Sequence, residues 1–270
     1  MKWLALLTCA LLAGCGGSQP AAKPARRATD RLAEARPSTP LRLCDQTKVE
    51  LVTVAGAEAV DTWRELRREA GSSGLWPVVI GSPEDAAGLI ETVKLNCEDG
   101  NTFERTLQRA EKVDVDRAIA RVARAYGVRA RDLRGSAPLR DAAPADRFVV
   151  PFDFNDNPFP EVWIALLPID AGWKGPAILP WGNYNDNPGP AVHTAVLHRW
   201  SERYGAELLS MTADVLELSV TRPPTTDAAA LEIAREQYSY APDIVEQGIG
   251  DVDALAATLK NGHAWFFWWD

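Results

Sequence analysis

The sequence predicts an α/β (or α+β) protein: a mixed β-sheet with helices packed on it and an N-terminal βαβ-like subdomain. Three observations carry that expectation. Short β-branched or apolar runs alternate with helix-spaced segments from residue 49 into the helix opened by Ser82. A second set of such runs follows residue 148 and closes on Trp265-Phe266-Phe267-Trp268-Trp269. Ten Trp in 270 residues make aromatic burial a large part of the core.

Residues 49–55 are β-branched and read as a strand. Residues 59–70 place Val60, Trp63 and Leu66 at helical spacing, with Gly71 as the expected stop. Residues 75–80 form a short apolar run of the buried-strand type. Ser82-Pro83-Glu84-Asp85 then supplies an N-cap, a Pro at the first helical position and a carboxylate three residues after the cap. A helix is expected over 114–126, with Ala118, Ile119, Val122, Ala123 and Tyr126 on one face and Arg117, Arg121 and Arg124 on another. Those arginines read as a solvated face, or as a stripe for phosphates or an acidic partner. Residues 129–145 read as an irregular connector.

In the second half, 162–167 is a strand, 168–180 a loop with Trp173, and 190–204 a helix closed by Gly205. Residues 207–211 and 215–220 read as strands around a short turn. Thr225 or Thr226 caps the helix through Tyr238, Asp243-Ile244-Val245-Glu246 has capping-box lettering, and 251–260 is a further helix stopped at Asn261-Gly262. A terminal strand as aromatic as 265–269 is expected inside the sheet or under a helix, because exposed it would invite aggregation.

The organisation expected is a leader over 1–14, a tether over 15–40, an N-terminal α/β region over 41–147 and a C-terminal α/β domain over 148–270. Lys2 precedes an apolar run, residues 3–13, too short for a bilayer, which needs about 20 residues. The run ends in Leu12-Ala13-Gly14-Cys15, which resembles a bacterial lipobox. On that reading the thiol of Cys15 is lipidated and the membrane is the partner. The alternative is an ordinary signal peptide cleaved near Gly14. Gly16 brings no acidic retention signal, so an outer membrane is expected where the cell has two. The tether, rich in Ala, Pro and Arg, lacks apolar periodicity.

With Cys9 removed and Cys15 lipidated, Cys44 and Cys97 remain and form a candidate disulfide in an oxidising compartment. Two unrelated buried thiols are the alternative. Residues 41–270 hold 23 basic and 35 acidic side chains, a formal −12. That acidity, with the export signal, argues against nucleic acid as a partner.

The stretch 181–204 gathers the candidate chemistry: a loop of Asn, Asp, Gly and Pro opening a helix. At 100° per residue, His193, Leu197, Trp200 and Tyr204 share a stripe within about 60°, while His198 falls about 140° from His193. Two His at i, i+5 do not form a zinc helix. His193, in the first turn, is disfavoured in its protonated form by the helix dipole. Beside Asn185 and Asp186 it reads as a neutral base or ligand holder, or else as a packed, hydrogen-bonded histidine.

Asn155-Asp156-Asn157-Pro158 and Asn185-Asp186-Asn187-Pro188 repeat one lettering. Asp153-x-Asn155-x-Asn157 resembles an EF-hand start, but Pro158 and Ile164 stand at its sixth and twelfth positions in place of the Gly and Glu that calcium needs, so both loops read as turns. No metal and no cofactor is expected: dinucleotide, phosphate-loop and G-x-S-x-G signatures are all missing. Glu207, Glu217 and Glu236 with Arg203, Arg222 and Arg235 are candidates for a buried charged network.

Ala165-Leu166-Leu167-Pro168, Trp181-Gly182, His193, Arg203-Tyr204-Gly205-Ala206-Glu207, Arg222-Pro223-Pro224, Ala234-Arg235-Glu236-Gln237-Tyr238, Pro242-Asp243-Ile244-Val245 and Trp265-Phe266-Phe267-Trp268-Trp269-Asp270 occur in one order. In these pieces, residues 162–270 resemble a bacterial domain family of unknown function, number 4253. The resemblance implies an α/β domain and no known activity. It also implies Cys in relatives where Asn187 and Ala241 stand here, so thiol chemistry at those positions is absent from this chain. Trp181, Asn185, His193, Arg222, Tyr238 and Asp243 form the candidate ligand-binding set. The function expected is an exported, lipid-anchored envelope protein acting as a binding module, of unknown ligand. The alternative is a hydrolase-type enzyme using His193 with Asp186 or Glu236.

Overall fold

The computed structural model describes residues 33–34, 39–185 and 187–270. The expected leader and most of the tether, with Cys15, lie outside the described residues, and so does Asp186. Seven strands form one mixed sheet: β1 (Ala33–Glu34), β2 (Glu50–Val54), β3 (Trp76–Gly81), β4 (Val162–Leu167), β5 (Ala206–Met211), β6 (Val215–Val220) and β7 (Ala264–Trp268). Their order is β1-β2-β4-β3-β5-β6-β7. β3 and β5 pair in parallel and every other neighbouring pair is antiparallel. β4, from the second half of the chain, lies between β2 and β3 from the first. The boundary expected at 147/148 therefore crosses a shared sheet.

Two layers cover the sheet. On one face, Ala59, Trp63 and Leu66 of α1 (Gly56–Ser73) pack with Phe148 and Val150 onto Val52, Val54, Val79 and Ile164. The other face is the larger. It carries α2 (Pro83–Glu98), α3 (Phe103–Ala110), α4 (Val115–Tyr126), α5 (Gly175–Ile178), α6 (Pro190–Tyr204), α7 (Asp227–Tyr240) and α8 (Val252–Leu259). Strand alternation sorts the side chains: Trp76, Val78 and Ile80 of β3 face the larger layer, and Val79 faces α1. Pro77 is tolerated in this interior strand because β3 pairs with β5 only at Val79↔Ser210, beyond the missing N–H.

Local signals placed most helix ends. The Ser82 hydroxyl and Asp85 carboxylate form a reciprocal capping box on α2. Asp114, Thr226 and Asp251 cap α4, α7 and α8 through their side chains. Cys44 and Cys97 are joined, with Cα atoms 5.2 Å apart, fastening the 41–49 hairpin to the end of α2.

The structure corrects several expectations. α1 runs past Gly71 and stops at Gly74, whose φ of 71° supplies the left-handed C-cap. α3 was not foreseen, and the 168–180 loop contains a 3-10 turn at Gly172–Lys174 and the single-turn α5. Asp243 does not cap a helix: its backbone is already helical and it opens a π-helical turn, Ile244–Ile249. Of the two places expected for the aromatic C-terminal strand, inside the sheet or under a helix, the structure gives the second: among the described residues it is an edge strand paired only with β6. Helices cover one of its faces, burying Trp265, Phe267 and Trp269, while Phe266 on the other stays 40% exposed.

Candidate functional site

The Trp181 loop forms because its residues accept positive φ. Gly182, at φ 94°, leaves no room for a side chain: a Cβ there would meet the Pro188 carbonyl at 2.0 Å and His193 Nε2 at 2.7 Å. Asn183 and Asn185 also take positive φ, as Asn does more readily than other non-glycine residues. Trp181 Nε1–H donates to the Thr212 carbonyl at 2.7 Å and the Tyr184 hydroxyl to that of Ala213 at 2.8 Å. Those bonds seat the loop on the turn between β5 and β6. Gly189-Pro190 then starts α6 and delivers His193 into the core.

His193 is completely buried. Its Nε2 lies 2.6 Å from Asn187 Oδ1 and its Nδ1 2.5 Å from the Tyr240 hydroxyl. Because Oδ1 can only accept, Nε2 carries the proton and Nδ1 accepts from Tyr240. Burial depresses the imidazole pKa from 6.5 to about 3, and a hydrogen bond to the Pro188 backbone pulls weakly the other way. Trp181, Trp269 and Tyr240 enclose the ring at centroid distances of 4.6, 5.4 and 5.5 Å. The expected stripe continues through Leu197 and Trp200, both buried, to half-buried Tyr204. Trp200 stacks on Phe267 at 5.0 Å, so α6 is riveted to the aromatic edge strand. This imidazole is neutral, doubly hydrogen-bonded and closed to solvent.

The remaining candidates do not converge on it. Glu236 accepts from Trp200 Nε1 at 3.1 Å and pairs with Arg199 and Arg203 at 3.3 and 3.2 Å. Asn185 is exposed and donates to the Asp270 carbonyl at 2.7 Å. Asp243 is buried, accepting from the Asp270 amide at 3.1 Å, from Gln247 Nε2 at 2.6 Å and from the Tyr126 hydroxyl. Asn185 and Asp243 thus clamp Asp270 between them. Arg222 sits apart, donating to the Ser201 and Glu202 carbonyls at the end of α6. Nor do the acids and arginines form one network. Glu207 takes a bidentate bond from Arg67, Arg235 holds the Leu133 and Gly135 carbonyls, and buried Glu217 meets no arginine among the described residues.

The two repeated loops sit at the same end of the sheet but over different strands. The first is tied beyond the C-terminal end of β2 by the Gly56–Phe159 contact, the second beyond that of β5 by the Trp181–Thr212 bond, and β4 and β3 lie between. In the first, the Asp153 carboxylate accepts from the amides of Asn155 and Asn157 at 2.8 and 2.9 Å, which makes a turn. Among the described residues no three His, Cys, Asp or Glu gather to hold a metal ion.

Residues 163–270 match the family model for a domain of unknown function, DUF4253. No curated protein and no solved structure matches the chain. The DUF4253 region contains the whole aromatic cage, from Trp181 through His193 and Tyr240 to Trp269.

One open cavity, of about 520 Å³, lies where that region meets the preceding connector. Tyr126, Arg129, Arg131 and Arg134 line it from the connector side, Tyr238, Glu246, Asp251 and Asp253 from the DUF4253 side. Tyr238 donates to Glu246, and burial with that carboxylate raises the Tyr238 pKa. Arg129 and Arg131 share Asp132 at 3.2 and 3.4 Å. Among the described residues, the Arg134 side chain has no hydrogen-bond or ion-pair partner. Of the candidate ligand-binding residues only Tyr238 lines this cleft. Sequence reasoning missed its arginines because they come from an irregular segment, although the recurrence Arg129-x-Arg131-x-x-Arg134 was there to be noticed.

Proposed function

We propose that the protein is a non-catalytic binding module of the cell envelope, exported and held to the membrane through lipidated Cys15. The observation that carries the non-catalytic part is His193: both ring nitrogens are occupied, the ring is fully buried, and Tyr238 opens into a different place. A general base must reach a substrate proton within hydrogen-bonding distance, and nothing can approach this ring without unpacking the cage. The cleft between Arg134 and Tyr238 is the binding site we assign. Its arginine wall suits a carboxylate or phosphate, and the Glu246, Asp251 and Asp253 wall suits an amine, so the ligand class is a small zwitterion or anion. Peptidoglycan fragments fall in that class. The lipid anchor rests on Leu12-Ala13-Gly14-Cys15.

Two experiments test this reading. A thermal-shift screen of amino acids, phosphorylated metabolites and peptidoglycan fragments should give ligands that stabilise the protein and lose at least tenfold in affinity with Arg134→Ala, about the strength of one charge-assisted hydrogen bond. Ligands that bind Arg134→Ala and Tyr238→Phe as tightly as the parent would move the site elsewhere. A fatty-acid probe should label the parent and not Cys15→Ser; no label in the parent, or equal label in that variant, would remove the anchor.

A further inference from the structure

The body of this protein is acidic, yet one surface is not. Residues 112–134 carry seven Lys/Arg against three Asp/Glu, within a folded body of formal charge −12. On α4 the structure turns Val115, Ile119 and Ala123 inward, against α6 and α7. Arg117, Arg121 and Arg124 are thereby left exposed on one stripe, at spacings of four and three residues. Arg117 is paired, with Asp114 at 3.1 Å. Among the described residues, Arg121 and Arg124 have no ion pair or side-chain hydrogen bond. After the helix, Arg129, Arg131 and Arg134 are exposed too, in a connector that Arg235 and Asp253 fasten to α7 and α8.

We propose that this face, the Arg117–Arg121–Arg124 stripe of α4 continued by Arg129, Arg131 and Arg134, docks the folded body onto anionic phospholipid headgroups. All six cations are arginine. A guanidinium presents a planar fork of donors that matches phosphate oxygens two at a time, which an ammonium does not. The acidic remainder does not prevent docking, because at physiological salt charges farther than about 8 Å from the surface are largely screened. Each arginine brought to an anionic bilayer strengthens binding about fivefold, so the α4 stripe alone supplies about a hundredfold. The surface acts independently of any lipid on Cys15. It would fix which side of the sheet faces the membrane and hold the Arg134 cleft near the headgroup layer.

The test uses the full chain carrying Cys15→Ser, so that an acyl anchor cannot contribute, and sedimentation with phosphatidylcholine vesicles with or without phosphatidylglycerol. The parent should pellet only with phosphatidylglycerol and be released by high salt. Arg117→Gln/Arg121→Gln/Arg124→Gln, with an unchanged melting curve, should bind about a hundredfold more weakly. Arg64→Gln/Arg68→Gln, which removes two exposed arginines of α1 on the opposite layer, should bind like the parent. Three results would overturn the proposal: no phosphatidylglycerol-dependent pelleting, parent-like binding by the triple variant, or an equal loss in the α1 control. A ligand that binds Arg134→Ala as tightly as the parent, with vesicle binding intact, would refute the cleft and leave this surface standing.

Discussion

Glu217→Gln should make this protein more stable at pH 8 and leave it unchanged at pH 4. Glu217 is 1% exposed in β6. It accepts from the Val149 and Val150 amides at 2.5 and 3.4 Å and from the Ser210 hydroxyl at 2.7 Å. Burial pushes its pKa from 4.5 up to about 7, with the three hydrogen bonds opposing that rise. The native state therefore holds this proton more tightly than the unfolded chain does. The resulting stability is fully present below pH 4.5, declines as pH rises, and is gone above about pH 7. The difference between the two pKa values corresponds to about 3 kcal/mol. Gln keeps an acceptor for the two amides, can donate to Ser210 and never ionises, so at pH 8 it should recover most of that amount. The assay is urea unfolding from pH 4 to pH 8 with the disulfide intact, comparing midpoints at constant m. Other carboxylates titrate equally in both proteins and cancel in the difference. A variant less stable than the parent at pH 8, or one with the parent's pH slope between 4.5 and 7, would refute the reasoning.

Three further predictions concern the buried histidine and the disulfide. The His193 ring should show no titration between about pH 5 and 8 by NMR, since its folded pKa of about 3 lies below the 6.5 of the unfolded chain. The stability it contributes is lost as pH falls through 6.5 towards 3, and a ring signal titrating near 6.5 would contradict the buried geometry. His193→Ala should cost about 3–5 kcal/mol by unfolding, because it opens a cavity and leaves Tyr240 and Asn187 unpaired. Cys44→Ser/Cys97→Ser should cost about 2–4 kcal/mol, the chain-entropy cost of opening a cross-link whose ends are 53 residues apart. An unchanged urea midpoint would show that the cross-link does not constrain the unfolded chain.

Most elements of this protein, and most of their ends, follow from neighbouring residues alone. Ser82-Pro83-x-Asp85 stops and starts a chain by local hydrogen bonds, so its consequence is readable from neighbouring residues. The 3.6-residue spacing that sent His193, Leu197 and Trp200 inward is equally local. Even the misplaced stop at Gly71 was a local matter: Gly74, with only Ser72 and Ser73 between, offers the same left-handed C-cap one turn later.

What the inward residues meet depends on long-range packing. Nothing in the lettering of residues 181–204 says that Asn187 and Tyr240, one in the same loop and the other 47 positions after His193, would close both nitrogens of the imidazole. Nor could it say that β4 would slip between β2 and β3, or that Glu217 would clasp Val149 and Val150 without an arginine. The cleft shows the same limit, since Arg134 and Tyr238 lie 104 positions apart in chains of different regularity. Periodicity reports which face of an element is apolar, because that depends on neighbours along the chain. Whether a buried polar group is a site or a strut depends on which distant atoms satisfy it, and only packing fixes those.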